Sequence, residues 1–173
     1  MKPKSTGPLI CKGKKETVLS TLEKIAKDNP GITLQEYVNR FGIDYYIVTR
    51  AYQTRHGNGP MTNEDKRHNI IENPDETNID RKWQGQFRRT LLDLDLISYA
   101  IEKDPGIRAS MSKTLVITCL DHIKLDYRFT HAGQIFVSSS QEEFLNKISN
   151  ILGIYQLLIN DSPDSKTFKK LML

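Results

Sequence analysis

The sequence lacks several features that define whole classes of protein. No apolar run approaches the roughly 20 residues that a membrane-spanning helix needs, and no apolar segment at the N-terminus predicts a secretory signal. The two cysteines, Cys11 and Cys119, lie far apart, and the four histidines are scattered without a short ligand pair. The spacing of the cysteines and histidines predicts neither a disulfide framework nor a zinc site, and a reduced, cytoplasmic compartment is expected. Because no long apolar run is present, no membrane partner is expected.

Acidic residues are absent from the first 15 positions, which carry five lysines. Since the chain of 173 residues has a net charge of +4, the other 158 residues sum to −1 (4 − 5). The basic character therefore indicates a solvated leader, residues 1–14, followed by one globular unit, residues 15–173. A nucleic-acid-binding protein more often carries its charge on a helix or patch, so nucleic acid is not expected as a partner.

Hydrophobic periodicity predicts an alternation of helices and strands. Helices are predicted at 15–28, 33–42, 89–103, 141–152 and 166–173. Strands are predicted at 44–52, 114–119, 124–129, 134–138 and 154–159. This alternation favours an α/β fold with a mainly parallel sheet and flanking helices. Residues 53–86 form a long polar loop, and connections of that length are usually functional or disordered.

Three short segments carry side chains suited to ligand binding. Arg88 and Arg89 follow Gly85 at the end of the long loop, and guanidinium groups bind carboxylates or phosphates bidentately. Asp121 and the segment 160–164 each follow a predicted strand, and open α/β sheets bind ligands outside the carboxyl ends of their strands. The structural alternatives are a solvated arginine pair and ordinary polar turns.

The order of these segments resembles the adenylosuccinate synthetase family. The segment TRAYQTRHGNGPMTNE resembles A-Y-x-T-R-x-G-x-G-P-x-P-T-E, and GQFRRTLLDLDLISYA resembles G-R-x-R-R-x-G-W-L-D. VITCLDHI is similar to a T-K-L-D strand end, INDSPDSK to S-T-G-P-x-R, and KPKSTG to T-P-S-N-T-G. The likeness extends over essentially the whole chain and corresponds to the C-terminal half of the shorter archaeal-type and phage-type members.

The resemblance implies a C–N ligase of purine nucleotide biosynthesis. Members of the family join L-aspartate to a purine nucleoside monophosphate, using a nucleoside triphosphate (GTP, or ATP in a phage branch) and Mg²⁺. The purine 6-oxygen is first phosphorylated, and the aspartate amino group then displaces the phosphate. The phage branch acts on a 2-amino purine deoxynucleotide.

The family motifs imply two sets of binding residues in this chain. The aspartate-binding loop corresponds to Lys82, Trp83, Gln84, Gly85, Gln86, Phe87 and Arg88. The nucleotide-binding residues correspond to Val48, Arg88, Cys119, Leu120, Asp121, Asn160, Asp161 and Ser162. The side chain of Arg88 is expected to be exposed, so that its replacement by alanine should abolish aspartate binding and leave the fold intact.

Several motif positions depart from the family pattern. Gln86 stands in place of the first arginine of G-R-x-R, Cys119 in place of the lysine of T-K-L-D, and Ser162 in place of the glycine of S-T-G-P. An altered base preference is therefore expected. No segment of these residues resembles the phosphate loop G-D-E-G-K-G or the segments with the catalytic aspartate and histidine. No catalytic residue or metal ligand is therefore assigned, and Mg²⁺ and GTP or ATP are expected only in the complete enzyme.

The expected function is that of the C-terminal part of such a ligase, which supplies the aspartate loop and the base pocket. The isolated chain is expected to be inactive and to act with a separately encoded N-terminal half, and a homodimer is left open. One alternative is a catalytically dead nucleotide-binding remnant. Another is a helix-turn-helix DNA-binding protein, in which residues 33–53 would form the two helices.

Overall fold

The described part of the chain forms two four-stranded sheets connected by helices and turns. The computed structural model describes residues 15–33, 36–37, 44–66, 73, 76–77, 80, 82–110, 112–164 and 166–173. The helices within these residues are α1 (Lys15–Asp28), α2 (Leu94–Lys103), α3 (Pro105–Ala109) and α4 (Gln141–Leu152). The strands are β1 (Asp44–Arg50), β2 (Tyr52–His56), β3 (Phe87–Asp93), β4 (Ser112–Thr118), β5 (Tyr127–His131), β6 (Gln134–Ser138), β7 (Gln156–Ile159) and β8 (Lys169–Met172). The predicted α/β class is confirmed.

The first sheet has the strand order β1-β4-β7-β8. Strands β1, β4 and β7 are parallel, and β8 is antiparallel to β7. The central position of β4 follows from its apolar sequence, which predicts burial on both faces. Leu115 and Ile117 are fully buried on one face, and Val116 is 6% exposed on the other.

The second sheet has the strand order β2-β3-β5-β6. Its central pair, β3 and β5, is parallel, and the two outer pairs are antiparallel. Because both sheets contain parallel and antiparallel pairs, the prediction of a mainly parallel sheet is not confirmed. Only Ala51 separates β1 from β2, so the chain passes directly from the first sheet into the second.

The helix predicted over residues 89–103 begins later than expected. Residues Phe87–Asp93 form β3, which pairs with β2 along its length and with β5 at its carboxyl end. Asp93 then caps α2, since its Oδ1 accepts hydrogen bonds from the backbone N–H groups of Asp95 (3.0 Å) and Leu96 (3.2 Å). Pairing with strands distant in the sequence therefore overrides the local helical periodicity before Leu94.

The tail also differs from its prediction. Residues 166–173 were expected to form a helix, but Lys169–Met172 form β8 against the outer edge of β7. Leu171 lies opposite Leu157, which is fully buried. A helix of this length would be marginal by itself, whereas the strand satisfies the backbone groups at the edge of β7.

The region predicted as a long polar loop, residues 53–86, begins with a strand instead, because Tyr52–His56 form β2 against β3. The other predicted elements that lie within the described residues agree with the structure to within a few residues. The helix predictions at 15–28 and 141–152 are confirmed. The predicted strands at 44–52, 114–119, 124–129, 134–138 and 154–159 correspond to β1, β4, β5, β6 and β7. No helix in the described ranges has the length and apolar character required to cross a membrane.

The helix-turn-helix alternative is wrong, because Asp44–Arg50 form a strand where the second helix would lie. Most of the first predicted helix, residues 33–42, lies outside the described residues, as does the leader 1–14. Thr33 and Glu36 form a capping box at the start of this segment. The Glu36 carboxylate accepts from the Thr33 backbone N–H at 2.8 Å, and Thr33 Oγ1 accepts from the Glu36 N–H at 3.2 Å.

One apolar cluster joins both sheets to α4. Phe129 of β5 is fully buried, with its ring centroid 5.1 Å from that of Phe136 in a stacked arrangement. Phe144 of α4 meets Phe129 edge-on, with the ring centroids 5.9 Å apart. The helix is fixed by the Ser140 cap at its start and by Gly153 in the left-handed conformation at its end.

Replacing Leu115 by alanine should lower the free energy of unfolding by about 2–5 kcal/mol, because it opens a cavity at a fully buried position of β4. Urea denaturation of the two proteins measures the change. The matched control is Leu125→Ala, at a leucine that is 72% exposed, where a change within about 0.5 kcal/mol is expected. Equal losses for both variants would contradict the assignment of β4 to the core.

Candidate functional site

The carboxyl ends of β1, β4 and β7 meet at one edge of the first sheet. The backbone N–H of Ala51 donates to the Thr118 carbonyl at 2.9 Å. The Asn160 N–H donates to the Ile117 carbonyl at 2.9 Å, and the Leu120 N–H donates to the Asn160 carbonyl at 3.3 Å. The predicted nucleotide-binding segments 119–121 and 160–162, far apart in the sequence, therefore lie side by side.

The loop after β4 makes an abrupt turn at Cys119. This residue has φ 61° and ψ 31°, in the left-handed region, which costs a residue with a Cβ about 1–2 kcal/mol. A single turn of 3₁₀-helix, Leu120–His122, follows. Leu120 is 1% exposed and anchors the turn, while Asp121 keeps 23% of its side chain exposed. The strained turn thus presents the Asp121 carboxylate at the edge of the sheet.

His122 connects this turn to the second sheet. The Tyr52 hydroxyl oxygen lies 2.7 Å from His122 Nδ1, and His122 Nε2 lies 3.8 Å from Asp121 Oδ2. The guanidinium carbon of Arg50 lies 5.9 Å from the centroid of the Tyr52 ring. Tyr52 is 1% exposed, so its hydroxyl is an internal partner for the imidazole and not a ligand-facing group.

Burial sets the protonation of this pair. Burial lowers the pKa of His122, the neighbouring Asp121 carboxylate acts in the opposite direction, and the positive charge of Arg50 adds to the lowering. Burial also raises the pKa of the Tyr52 hydroxyl. Both side chains are therefore neutral at pH 7, and the hydrogen bond between them joins two uncharged groups.

The loop after β7 is held by its own side chains. Asn160 is 7% exposed, and its amide Nδ2 donates to the Asp164 carbonyl at 2.9 Å. The Ser162 N–H donates to Asn160 Oδ1 at 3.4 Å. Lys169 Nζ of β8 lies 2.6 Å from Asp161 Oδ2, and this hydrogen bond lowers the pKa of Asp161. Strand β8, which was predicted as a helix, thus contributes a cation to this site.

Asp121 and Asp161 act on a common neighbour, Tyr127. Burial raises the pKa of the Tyr127 hydroxyl, and the negative charges of Asp161 and then Asp121 raise it further. The same hydroxyl donates to Gln141 Oε1, 3.3 Å away at the start of α4. The two carboxylates therefore both act on Tyr127. We call these residues the strand-end site: residues 119–122 and 160–162, with Tyr127.

A second group of predicted residues lies at the far end of β2. The Gly57 N–H donates to the Gln86 carbonyl at 3.2 Å, which joins the turn 57–60 to the segment 82–86. Gly57 and Gly85 have positive φ values of 79° and 70° and lie in close contact. A Cβ on Gly85 would approach Gly57 Cα to 3.0 Å, so glycine is needed where the two segments touch. We call residues 57–60 and 82–88 the glycine-loop site.

Arg88 fastens the glycine-loop site, and its environment differs from the sequence expectation. Its Nη2 donates to the carbonyls of Gly57 and Gly59 at 2.5 Å each, and its Nη1 pairs with the Glu64 carboxylate. The side chain is 10% exposed, whereas exposure was expected. Residue 88 lies on strand β3 opposite Arg55 of β2, close to the turn 57–60, and not at the start of a helix.

The remaining members of the predicted aspartate loop face solvent. Lys82, Gln84 and Gln86 are exposed, and Trp83 is 91% exposed with Lys82 Nζ 5.6 Å from its ring centroid. Phe87 is half-buried and packs on His56, with the ring centroids 4.7 Å apart. The loop is therefore held in place at Phe87 and Arg88, while its polar and aromatic residues 82–86 project into solvent.

Strand β2 joins the two sites. Tyr52 at its start contacts His122 of the strand-end site, and His56 at its end contacts Phe87 of the glycine-loop site. Four strand steps separate these residues by about 13 Å. Arg88 and Asp121 thus belong to separate groups of residues that β2 connects.

Val48, the remaining predicted nucleotide-binding residue, lies on the outer strand β1 and is 68% exposed.

The described residues offer no set of metal ligands. Within the ranges that the structure describes, no three His, Cys, Asp or Glu side chains form a group that could hold a metal ion. The Mg²⁺ implied by the resemblance is therefore assigned to no residue here, and no chemical step is derived through it. Cys119, which is partly buried, is a free thiol.

No protein-family model matches this chain, and no curated protein matches it. The functional argument therefore depends on the motifs and on the geometry of the two sites.

Sequence reasoning missed the residues that support these sites. Arg50, His122, Tyr127 and Lys169 were not assigned to a site. Tyr52 was noted only as a motif match. Tyr52 and His122 are 70 positions apart, and no local pattern connects them. Only the pairing of β1 with β4 brings them together.

Replacing Arg88 by alanine should loosen the turn 57–60, because two glycine carbonyls and the Glu64 carboxylate lose their donor. A loss of about 1–3 kcal/mol in the free energy of unfolding is expected, with faster amide hydrogen exchange at Gly57. Arg128→Ala is the control, since Arg128 is 44% exposed and pairs only with Asp126 among the contacts described; it should change stability by less than about 1 kcal/mol. Unchanged exchange at Gly57 in Arg88→Ala would contradict the assigned role.

Lowering the pH should destabilise the wild-type protein more than His122→Gln. Since the pKa of His122 is lowered from 6.5 in the folded state, the unfolded chain binds its proton first as the pH falls. The stability contributed by neutral His122 is complete above pH 6.5 and is lost as the pH falls toward the lowered folded pKa. The wild-type protein should therefore lose more of its free energy of unfolding over this pH range than the variant, which cannot titrate at this position. Urea midpoints of both proteins between about pH 7.5 and 5.5 measure it, and parallel curves would contradict it.

Proposed function

We propose that this chain supplies the purine-base pocket and the aspartate loop of an adenylosuccinate synthetase-like ligase. The strand-end site would hold a purine base, and the glycine-loop site would face the L-aspartate. The proposed fold is that of the C-terminal half of such a ligase. The triphosphate cradle, the catalytic groups and the Mg²⁺ ligands would come from residues outside these 173, on this or another polypeptide.

The observation that carries the proposal is the hydrogen bond of 3.3 Å between the Leu120 N–H and the Asn160 carbonyl. The motifs similar to T-K-L-D and S-T-G-P are separated by the whole β5–β6–α4 region, yet they meet at the carboxyl ends of adjacent parallel strands. Ligands of open α/β sheets bind at this edge. The adjacency of two motifs chosen by resemblance to one family supports the proposal.

The chemistry of the strand-end site suits a purine with donors on its Watson–Crick edge. A guanine base presents N–H groups at N1 and N2, and the Asp121 carboxylate can accept both. Adenine offers a single donor at N6, and its N1 lone pair would face the second carboxylate oxygen, which penalises its binding. Cys119, in place of the family lysine, presents no charge to the base, so discrimination would depend on Asp121 and the backbone of residues 160–162.

The aspartate side of the proposal depends on the shape that Arg88 gives to the loop. Its Nη atoms are engaged by Gly57, Gly59 and Glu64, so Arg88 would act by holding the two glycine segments together. Lys82, Gln84 and Gln86 remain exposed at the loop tip and could donate to a dicarboxylate. The net positive charge of this tip is consistent with an anionic substrate.

A catalytically inactive nucleotide-binding remnant is the second candidate. Gln86, Cys119 and Ser162 replace an arginine, a lysine and a glycine of the family motifs. The two candidates share the base pocket and differ only in turnover. Co-expression with a candidate N-terminal segment, followed by an assay for succinylo-nucleotide formation, separates them.

Asp121→Asn should weaken guanine-nucleotide binding about ten- to a hundredfold, because it replaces charge-assisted hydrogen bonds worth about 1.5–3 kcal/mol. Calorimetric titration of the chain with GTP, ITP and ATP measures the effect. ITP lacks the 2-amino group, so wild-type protein should prefer GTP to ITP, and the variant should lose that preference.

Asp126→Asn serves as the control, because that carboxylate pairs with Arg128 outside the strand-end site. It should leave all three affinities unchanged. Equal binding of the three nucleotides by wild-type protein, with no effect of Asp121→Asn, would contradict the proposed base pocket.

A further inference from the structure

A chain of polar side chains lies beside Asp121, and Tyr52 is the only one of them that matches a position of the family motifs quoted above. Arg50 ends β1, Tyr52 begins β2, and His122 follows Asp121 in the 3₁₀ turn. Tyr52 Oη lies 2.7 Å from His122 Nδ1, and His122 Nε2 lies 3.8 Å from Asp121 Oδ2. Strand β1, strand β2 and the turn after β4 therefore each contribute one member of this chain.

The direction of the hydrogen bond follows from the acceptor that faces the ring. The Asp121 carboxylate can only accept, and it lies 3.8 Å from His122 Nε2, so it favours the neutral tautomer with the proton on Nε2. In that tautomer Nδ1 is the acceptor, and the Tyr52 hydroxyl, 2.7 Å away, donates to it.

We propose that Tyr52 and His122 position the Asp121 carboxylate for the purine edge and make base binding depend on pH. This inference rests on the proposed function of the strand-end site. The side chain of His122 is 15% exposed and that of Asp121 is 23% exposed, so the imidazole is confined beside a carboxylate that solvent and ligand can still reach. With neutral His122, the gap of 3.8 Å leaves both Asp121 oxygens available to the base.

Protonation of His122 reverses this arrangement. Both ring nitrogens then donate, so Nδ1 no longer accepts the Tyr52 hydroxyl proton, and the charged Nε2–H draws Asp121 into an ion pair. An oxygen of Asp121 engaged in this way is lost to the base. Binding of a guanine nucleotide should therefore weaken as the pH falls, with His122 as the group that titrates.

Charged groups from every neighbouring element act on His122. Arg50 of β1 and Lys124, just after the turn, favour the neutral ring, while Asp121 and Glu76 favour the protonated ring. Tyr52 of β2 contributes its hydroxyl. Because charges of both signs surround the ring, burial decides the direction, and it favours the neutral form at pH 7.

The test compares GTP binding to wild-type protein and to His122→Gln by calorimetry between about pH 7.5 and 5.5. The wild-type affinity should fall about three- to tenfold on acidification, since a shift of one pKa unit on binding corresponds to tenfold. His122→Gln keeps a side chain that can donate a hydrogen bond but cannot titrate, so its affinity should stay constant. The control is His131→Gln. His131 ends β5 outside the strand-end site, and its Nδ1 lies 2.8 Å from the Asp95 carboxylate of α2. That variant should keep the wild-type pH profile.

Tyr52→Phe provides a second measurement, by NMR titration of the His122 ring without ligand. Loss of the hydroxyl removes the donor to Nδ1, so the His122 pKa should rise toward its ordinary value, and the midpoint of the GTP profile should move with it. Identical pH profiles for wild type and His122→Gln, or an unchanged His122 pKa in Tyr52→Phe, would overturn the inference. If Asp121→Asn leaves GTP binding intact, the proposed base pocket is contradicted. The NMR titration of His122 in Tyr52→Phe would still decide whether the Tyr52 hydroxyl controls the pKa of His122.

Discussion

The parallel alignment of β1, β4 and β7 is the constraint on which the rest of the structure depends. Backbone hydrogen bonds from Ala51 to Thr118 and from Asn160 to Ile117 end the three strands at the same level. The chain must leave each strand at that edge, so the polar residues that follow are brought together there. Without this alignment, Asp121 and Asp161 would have no common neighbour.

The second constraint is the direct continuation of β1 into β2. Because a single residue, Ala51, separates the strands, the chain has no freedom to move the second sheet relative to the first at this point. Strand β2 then acts as a rigid spacer with one site at each end. One strand therefore fixes the spacing between the two groups of residues.

Arg88 and Asp121 show how two charged side chains serve different ends in the two sites. The side chain of Arg88 is 10% exposed, and backbone carbonyls and one carboxylate occupy its Nη groups, so it shapes a loop. Asp121 has a longer contact to His122 and remains accessible. A charge held by several hydrogen bonds favours a single conformation, whereas an accessible charge with unused acceptors is suited to a ligand.

The sequence by itself determined the α/β class, the two long helices α1 and α4, the central strand β4 and the polar segments at the strand ends, since these follow from local periodicity, capping and turn chemistry. It could not determine that residues 87–93 and 169–172 are strands, because their partners are distant in the chain. Tertiary structure alone decided that Tyr52 meets His122 and that Arg88 is buried. Such contacts depend on which strands become neighbours, and no residue carries that information in its local pattern.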